Sequence, residues 1–192
     1  MVKKGKDWYK QKDMSEKYDT QRFKGGGKLL DVKEKEMLLS LVEPEEKLIL
    51  DIATGTGRFA ELLVNHDARV IGLDASNEML TPGNAEYIVG DALNLPFKDD
   101  VFDITISMRF LHLLKSDQIE VFINEVARVT SEKFVFETLN PLSLRILYQW
   151  MLPQNSHMHS NSFLKDKFEK LSVVEKADYK ETFAIPYGIY QI

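Results

Sequence analysis

One stretch constrains the fold more than any other: Leu48-Ile49-Leu50-Asp51-Ile52-Ala53-Thr54-Gly55-Thr56-Gly57-Arg58-Phe59. It reads as an apolar strand, an acid, a glycine-rich bend and the first turn of a helix. Glycines placed this closely let the backbone turn sharply and approach a small ligand, because no Cβ stands in the way. The helix that follows offers unpaired backbone N–H groups at its start. Asp51, at the end of the strand, then faces the crevice outside the carboxyl ends of a parallel sheet.

The rest of the chain repeats this alternation. Strands are expected at 68–74, 86–92, 101–107 and 133–138, and the first three of these carry Asp74, Asp91 and Ser107 at or near their carboxyl ends. Leu30, Glu34, Met37, Leu38, Leu41 and Val42 follow helical spacing up to Pro44, and a helix after the glycines buries Phe59, Leu62 and Leu63. A further helix, capped by Ser116 or Asp117, buries Ile119, Phe122, Ile123 and Val126. Helices are also expected at 142–152 and 163–171, with the polar stretch 154–162 between them. Residues 1–27 form a polar lead dotted with aromatic side chains and closed by Gly25-Gly26-Gly27, a flexible hinge.

A length of 192 residues suits one α/β domain with a full core. A net charge of -5 argues against tight nonspecific binding to nucleic acid. The absence of cysteine excludes disulfides, thiolate metal sites and a cysteine nucleophile. His157 and His159 form an isolated pair without the further ligands that zinc requires, so no metal is expected and solvated loop histidines are. No apolar run is long enough to span a bilayer and no signal peptide opens the chain, so a cytoplasmic protein is expected.

Two ligands compete for the bend. Gly55-x-Gly57-x-x-Ala60, with Asp74 following at about 20 residues, fits the dinucleotide fingerprint of an NAD(P)-dependent oxidoreductase. An acid just before the loop would repel a pyrophosphate and suits a cationic amino-acid tail better. Asp51-Ile-Ala-Thr-Gly-Thr-Gly resembles the first motif of class I S-adenosylmethionine-dependent methyltransferases, in particular the ubiquinone/menaquinone-biosynthesis-like branch. Ala53 stands where the first glycine of that motif is usual. Gly90-Asp91-Ala92 with Leu95-Pro96-Phe97 and Phe102-Asp103, and Glu125-Val126-Ala127-Arg128-Val129, are similar to later segments of the same family. The usual Pro-Gly-Gly turn after them is replaced by Thr130-Ser131-Glu132, so that loop is expected to be shortened or altered.

The resemblance implies a Rossmann-like, doubly wound α/β fold. Its sheet would be seven-stranded and mostly parallel with an antiparallel last strand, and helices would cover both faces. It implies one domain over 1–192: a mobile lead or lid at 1–27, a cofactor core at 28–139, and substrate-side helices and closing strands at 140–192. It implies S-adenosyl-L-methionine as cofactor, S-adenosyl-L-homocysteine as product, and methyl transfer to a small organic acceptor by in-line displacement. A catalytically silent, methyltransferase-like binding module is the other alternative. The cofactor residues it implies are Asp51, Ala53, Thr54, Gly55, Gly57, Asp74, Ala75, Met79, Asp91, Ala92 and Ser107. Asp74 would accept hydrogen bonds from the ribose and Asp91 one from the adenine amine. Met79 would lie against the adenine on a short helix. Tyr18, Arg109 and His112 are the candidates for catalysis. The (Asp/Asn)-Pro-Pro-(Tyr/Phe) signature of amide and adenine nitrogen methylation is missing after the fourth strand. No nucleic-acid partner is expected, and the acceptor and oligomeric state stay open.

Overall fold

The structure is a computed structural model that describes residues 27–139, 159–170, 178–181 and 187–191. Its elements are α1 (Gly27–Leu39), β1 (Leu48–Ile52), α2 (Arg58–Val64), β2 (Arg69–Asp74), β3 (Glu86–Val89) and β4 (Phe102–Ser107). After a short turn at Leu111–Leu113 come α3 (Ser116–Val129), β5 (Thr130–Leu139), α4 (Asn161–Glu169), β6 (Asp178–Glu181) and β7 (Tyr187–Gln191). Strands β3, β2, β1, β4 and β5 lie side by side and parallel, in that order. β7 and then β6 extend the sheet beyond β5, with β7 antiparallel to both its neighbours.

Alternation along each strand sorts side chains between two layers. Ile49, Val70, Ile104, Ile106 and Val135 face α1 and α2, where they meet Leu38, Val42, Phe59 and Leu63. Leu50, Ile52, Phe102, Phe134 and Phe136 face α3 and α4, meeting Phe122, Val126, Leu164 and Phe168. Burial on both faces explains why the central strands read as almost unbroken apolar runs.

Several local features depart from the expected pattern. Gly27 already opens α1. The segment 77–80 is a turn, not a short helix, although Met79 is buried. Lys115 occupies the N-cap of α3, and its backbone N–H donates to the Gln118 side chain at 3.1 Å. β5 starts at Thr130, immediately after α3, so the expected shortening of that loop is complete. There the Thr130 hydroxyl pairs with that of Thr105 at 2.6 Å, and the Ser131 hydroxyl donates to the Phe102 carbonyl. His159 is buried, not solvated, with Nε2 at 2.9 Å from the Leu114 carbonyl. The expected helix at 142–152, His157 and the lead at 1–26 lie outside the described residues.

Candidate active site

The parallel strands end on a cavity of about 490 Å³. Its wall follows the sheet edge: Asp51 at β1, Asp74 at β2, Asp91 just past β3, and the turn after β4. Parallel strands that all point their carboxyl ends the same way bring these distant residues together.

The bend after β1 forms one wall. Ala53 has φ 59 and Gly55 φ 59, so the chain passes through the left-handed region at both positions. The Gly55 N–H donates to Asp74 Oδ2 at 2.9 Å, and the Ser76 N–H donates to Asp74 Oδ1 at 2.9 Å. These bonds fix the Asp74 carboxylate against the loop. Burial nevertheless raises its pKa, with the backbone donors opposing that rise. Thr54 donates its hydroxyl to Asp51 Oδ2 at 2.6 Å. Asp51 Oδ1 is buried without a hydrogen-bond partner among the described residues. Burial, with the Asp74 charge adding to it, pushes the Asp51 carboxyl up to about 7, against the pull of Thr54 and Arg58. A carboxylate left this poorly solvated favours a positive neighbour.

Asp91 is exposed and lines the cavity, with Oδ1 accepting from the Leu93 N–H at 2.9 Å. Met79 closes the wall over the bend: a Cβ on Gly55 would sit 3.6 Å from its methyl group. Beyond β4, Met108, Arg109, Phe110, Leu113 and Leu114 complete the lining. Arg109 has φ 61, a left-handed conformation that costs a side-chain-bearing residue on the order of 1–2 kcal/mol.

Of the expected cofactor residues, Asp51, Ala53, Thr54, Gly55, Asp74, Ala75, Met79, Asp91 and Ala92 converge on the cavity. Gly57 and Ser107 do not line it. Gly57 caps α2 with φ 77, and a Cβ there would lie 2.1 Å from the Tyr87 hydroxyl, so its glycine serves packing. The buried Ser107 hydroxyl donates to the Ile52 carbonyl at 3.2 Å. Arg109 lines the cavity and His112 does not; Tyr18 lies outside the described residues. Burial, and secondarily the charge of His159, pulls the His112 pKa down to about 4.

Sequence reasoning missed Arg58, Phe59 and Val89 as cavity lining. Val89 carried only a partial signal, an apolar residue at a strand end just before Gly90-Asp91; its 56% exposure is visible in the structure alone. Arg58 carried none, because its role depends on α1. It donates from both terminal nitrogens to Glu34 Oε2 at 3.0 Å, pairs with Asp31 and lies over the Phe59 ring at 3.9 Å.

With this geometry in place, the comparison with known proteins decides between the two ligand classes. Residues 49–133 match the family described as a methyltransferase domain. The chain carries a class I methyltransferase domain. A demethylmenaquinone methyltransferase of Thermotoga maritima is 37% identical over 145 residues, covering 69% of this chain and 61% of that protein. A probable tRNA methyltransferase 9B of Homo sapiens is 34% identical over 122 residues, covering 61% of this chain and 24% of that one. The chain thus spans less than two thirds of the length of these relatives. In fold, the methyltransferase domain is similar to the magnesium protoporphyrin IX methyltransferase of Synechocystis PCC 6803, solved with bound SAH. The TM-score is 0.66 at 16% identity, covering 86% of this chain and 82% of that one.

Proposed function

We propose that this methyltransferase domain moves the methyl group of S-adenosylmethionine to a small organic acceptor. The observation that carries the reading is Asp51, a carboxylate with one buried, unpartnered oxygen beside the cavity. That donor set fits a ligand with a cationic amino-acid tail and would repel the pyrophosphate of a dinucleotide. Asp74, already locked to the Gly55 and Ser76 N–H groups, would accept from ribose hydroxyls, and a charged acceptor makes such bonds roughly twice as strong as a neutral one. Asp91 and Ala92 would meet the adenine edge, with Met79 against the base.

Bound there, S-adenosylmethionine supplies a methyl group already activated by positive sulfur. What remains for the chain is to hold donor and acceptor in line and to exclude water, the entropy-trap contribution. The Met108, Phe110, Leu113 and Leu114 wall serves the second task. Among the described residues, the lining includes no histidine, lysine, glutamate or tyrosine to act as a general base. His112, low in pKa and off the cavity, suits that role poorly.

We extend the reading to the whole chain: one domain over 1–192, with 1–27 as a lid, 28–139 as cofactor core and 140–192 on the acceptor side. Tyr18 would contribute from the lid. The seven-stranded sheet with an antiparallel closing strand belongs to this reading and is supported by the pairing of β7 with β5. A cytoplasmic location fits the described helices, none of which is long and apolar enough to cross a membrane. The quinone-methylating relative supports a small acceptor, and the net charge of -5 supports it over nucleic acid.

Calorimetry with S-adenosylhomocysteine and with NADH tests the cofactor; binding of NADH alone would reverse the assignment. Transfer of labelled methyl to a panel of phenols, quinols, amines and tRNA tests the acceptor. Labelling of tRNA alone overturns the small-acceptor part, and no labelling at all leaves a silent binding module.

A further inference from the structure

Residues 90–101, between β3 and β4, contain no helix or strand, yet Asp91, Ala92 and Leu93 within them line the cavity. Backbone that pairs in no ladder must be held by other partners. At its entry, the Gly90 N–H donates to the Asp74 carbonyl at 2.9 Å. Asp91 then closes a tight turn: the Leu93 N–H donates to its Oδ1 at 2.9 Å and the Asn94 N–H to its carbonyl at 3.1 Å. The exit is held by the end of α3. Arg128 donates from Nη2 to the Leu95 carbonyl at 3.1 Å and from Nη1 to the Phe97 carbonyl at 2.7 Å. The Leu95 N–H donates to Glu125 Oε2 at 2.7 Å, and the Asp100 N–H donates to the Arg128 carbonyl at 2.9 Å. The segments Leu95-Pro96-Phe97 and Glu125-Val126-Ala127-Arg128-Val129 thus form one joint.

The guanidinium in that joint is itself fixed. Nε donates to Glu125 Oε1 at 2.9 Å and Nη2 to Glu125 Oε2 at 2.8 Å, a bidentate pair. Nη1 also reaches Asp99 Oδ1 at 3.0 Å, so every N–H of the guanidinium is used. Asp99 is exposed, and a surface ion pair of that kind contributes little. The bonds to the two carbonyls carry the joint. Apolar packing alone does not set the strand-to-loop angle: the buried Leu95 and the Phe97 ring, edge-on to Phe102 with centroids 4.8 Å apart, fix the depth of the segment. The carbonyl bonds fix its rotation, because a hydrogen bond is directional where apolar contact is not. Between Asp91 and Leu95 lies only the tight turn, bridged at Asp91 and Asn94, so a rotation at Leu95 has little slack in which to dissipate before it reaches the Asp91 carboxylate.

We propose that Arg128, seated on Glu125, is the positioning residue for base selection: by holding the Leu95 and Phe97 carbonyls it aims Asp91 at the exocyclic amine of the cofactor's adenine. Arg128 touches no ligand itself and acts through the loop. The proposal rests on the cofactor reading and deepens it, since that reading names the residues that meet the base and this one names what directs them. Adenine presents an N–H donor at this edge, where hypoxanthine presents a carbonyl oxygen that a carboxylate repels. The aim of Asp91 is therefore read as a preference for S-adenosylhomocysteine over S-inosylhomocysteine. Lysine, a point charge on a flexible stem, cannot reproduce the planar fork that meets both carbonyls and Glu125 together.

The test is calorimetric titration of the wild-type chain and its variants with both nucleosides. No binding of S-adenosylhomocysteine to wild type overturns the cofactor reading and this proposal together. The expected wild-type preference for the adenine form is about tenfold or more, and Asp91→Ala should abolish it. Arg128→Gln should bring the preference to near unity although Asp91 is intact, Arg128→Lys should keep part of it, and Glu125→Gln should weaken it by a smaller factor. Because the two nucleosides are compared within each variant, a general loss of folding cancels. Val126→Ala is the control on the same helix: it removes buried packing and should lower the melting temperature while leaving the preference unchanged. A preference lost in Asp91→Ala but kept in Arg128→Gln and Arg128→Lys overturns the proposal and leaves the cofactor reading standing. So does a preference that falls as far in Val126→Ala as in Arg128→Gln. A wild type that binds both nucleosides equally overturns the proposal and removes Asp91 from the adenine edge.

Discussion

On the α3/α4 side of the sheet, Phe122, Phe134, Phe136 and Phe168 touch ring to ring, with centroids 5.9 Å apart for Phe122–Phe134 and 4.8 Å for Phe136–Phe168. On the α1/α2 side, the buried residues include three carboxylates: Glu34 on α1, Asp51 on β1 and, by alternation with Val135, Glu137 on β5. Burying an aromatic ring gains stability without condition, whereas a buried carboxylate costs several kcal/mol unless something answers its charge. The first face therefore serves cohesion, and the second keeps charge in place for a ligand and for Arg58 and Arg109. The two faces should respond separately to mutation.

The largest effect is expected on the aromatic face. Phe122→Ala should lower unfolding free energy by about 3–5 kcal/mol in urea titrations and leave the S-adenosylhomocysteine affinity of the folded fraction unchanged. A parallel loss of affinity would show that the faces are coupled. Asp74→Ala should do the reverse, weakening that affinity by about 1.5–3 kcal/mol with a smaller change in stability. Unchanged affinity would remove Asp74 from the site.

Asp51 gives a pH test of the same contrast. Its pKa in the free protein is raised to about 7, so below that value the carboxyl is protonated and cannot meet a cation. Affinity for S-adenosylhomocysteine should fall roughly tenfold per pH unit below 7 and level off above it. Stability runs the other way. A carboxyl whose folded pKa is raised favours the protonated fold, so the free protein should lose stability as pH rises from the ordinary carboxylate range to about 7. Asp51→Asn should flatten both profiles in calorimetry and thermal melts. The smallest effect concerns Ala53. Glycine tolerates φ 59 without the Cβ clash, so Ala53→Gly should stabilise the fold by up to about 1 kcal/mol in a thermal melt.

Much of this arrangement was legible because it depends on short stretches of chain. The bend at 53–57 and the acids at 51, 74 and 91 follow from strand–turn–helix patterning, and the cavity needs little more than parallel strands to assemble them. The charged cluster behind the cavity was not legible. Glu34 occupies a helical position that reads as one polar residue on a mostly apolar face, and nothing local says that Arg58 lies against it. Gly57 was read as part of the ligand loop, but the atom that forbids a side chain there belongs to Tyr87, on another strand. His159 likewise looked like part of a polar loop, and its burial depends on the distant Leu114 carbonyl.

The direct passage from α3 into β5 has a further consequence. With Val129 ending the helix and Thr130 opening the strand, no spare residue exists to absorb a change in length. One extra residue inserted at that seam, with strand pairing otherwise kept, would turn each β5 side chain to the opposite surface. Phe134 and Phe136 would then point toward the carboxylates, and Val135 and Glu137 into the phenylalanines. An insertion of a single glycine there should be far more damaging than the same glycine placed in the exposed stretch 81–84, which makes the seam a fixed ruler for the whole sheet.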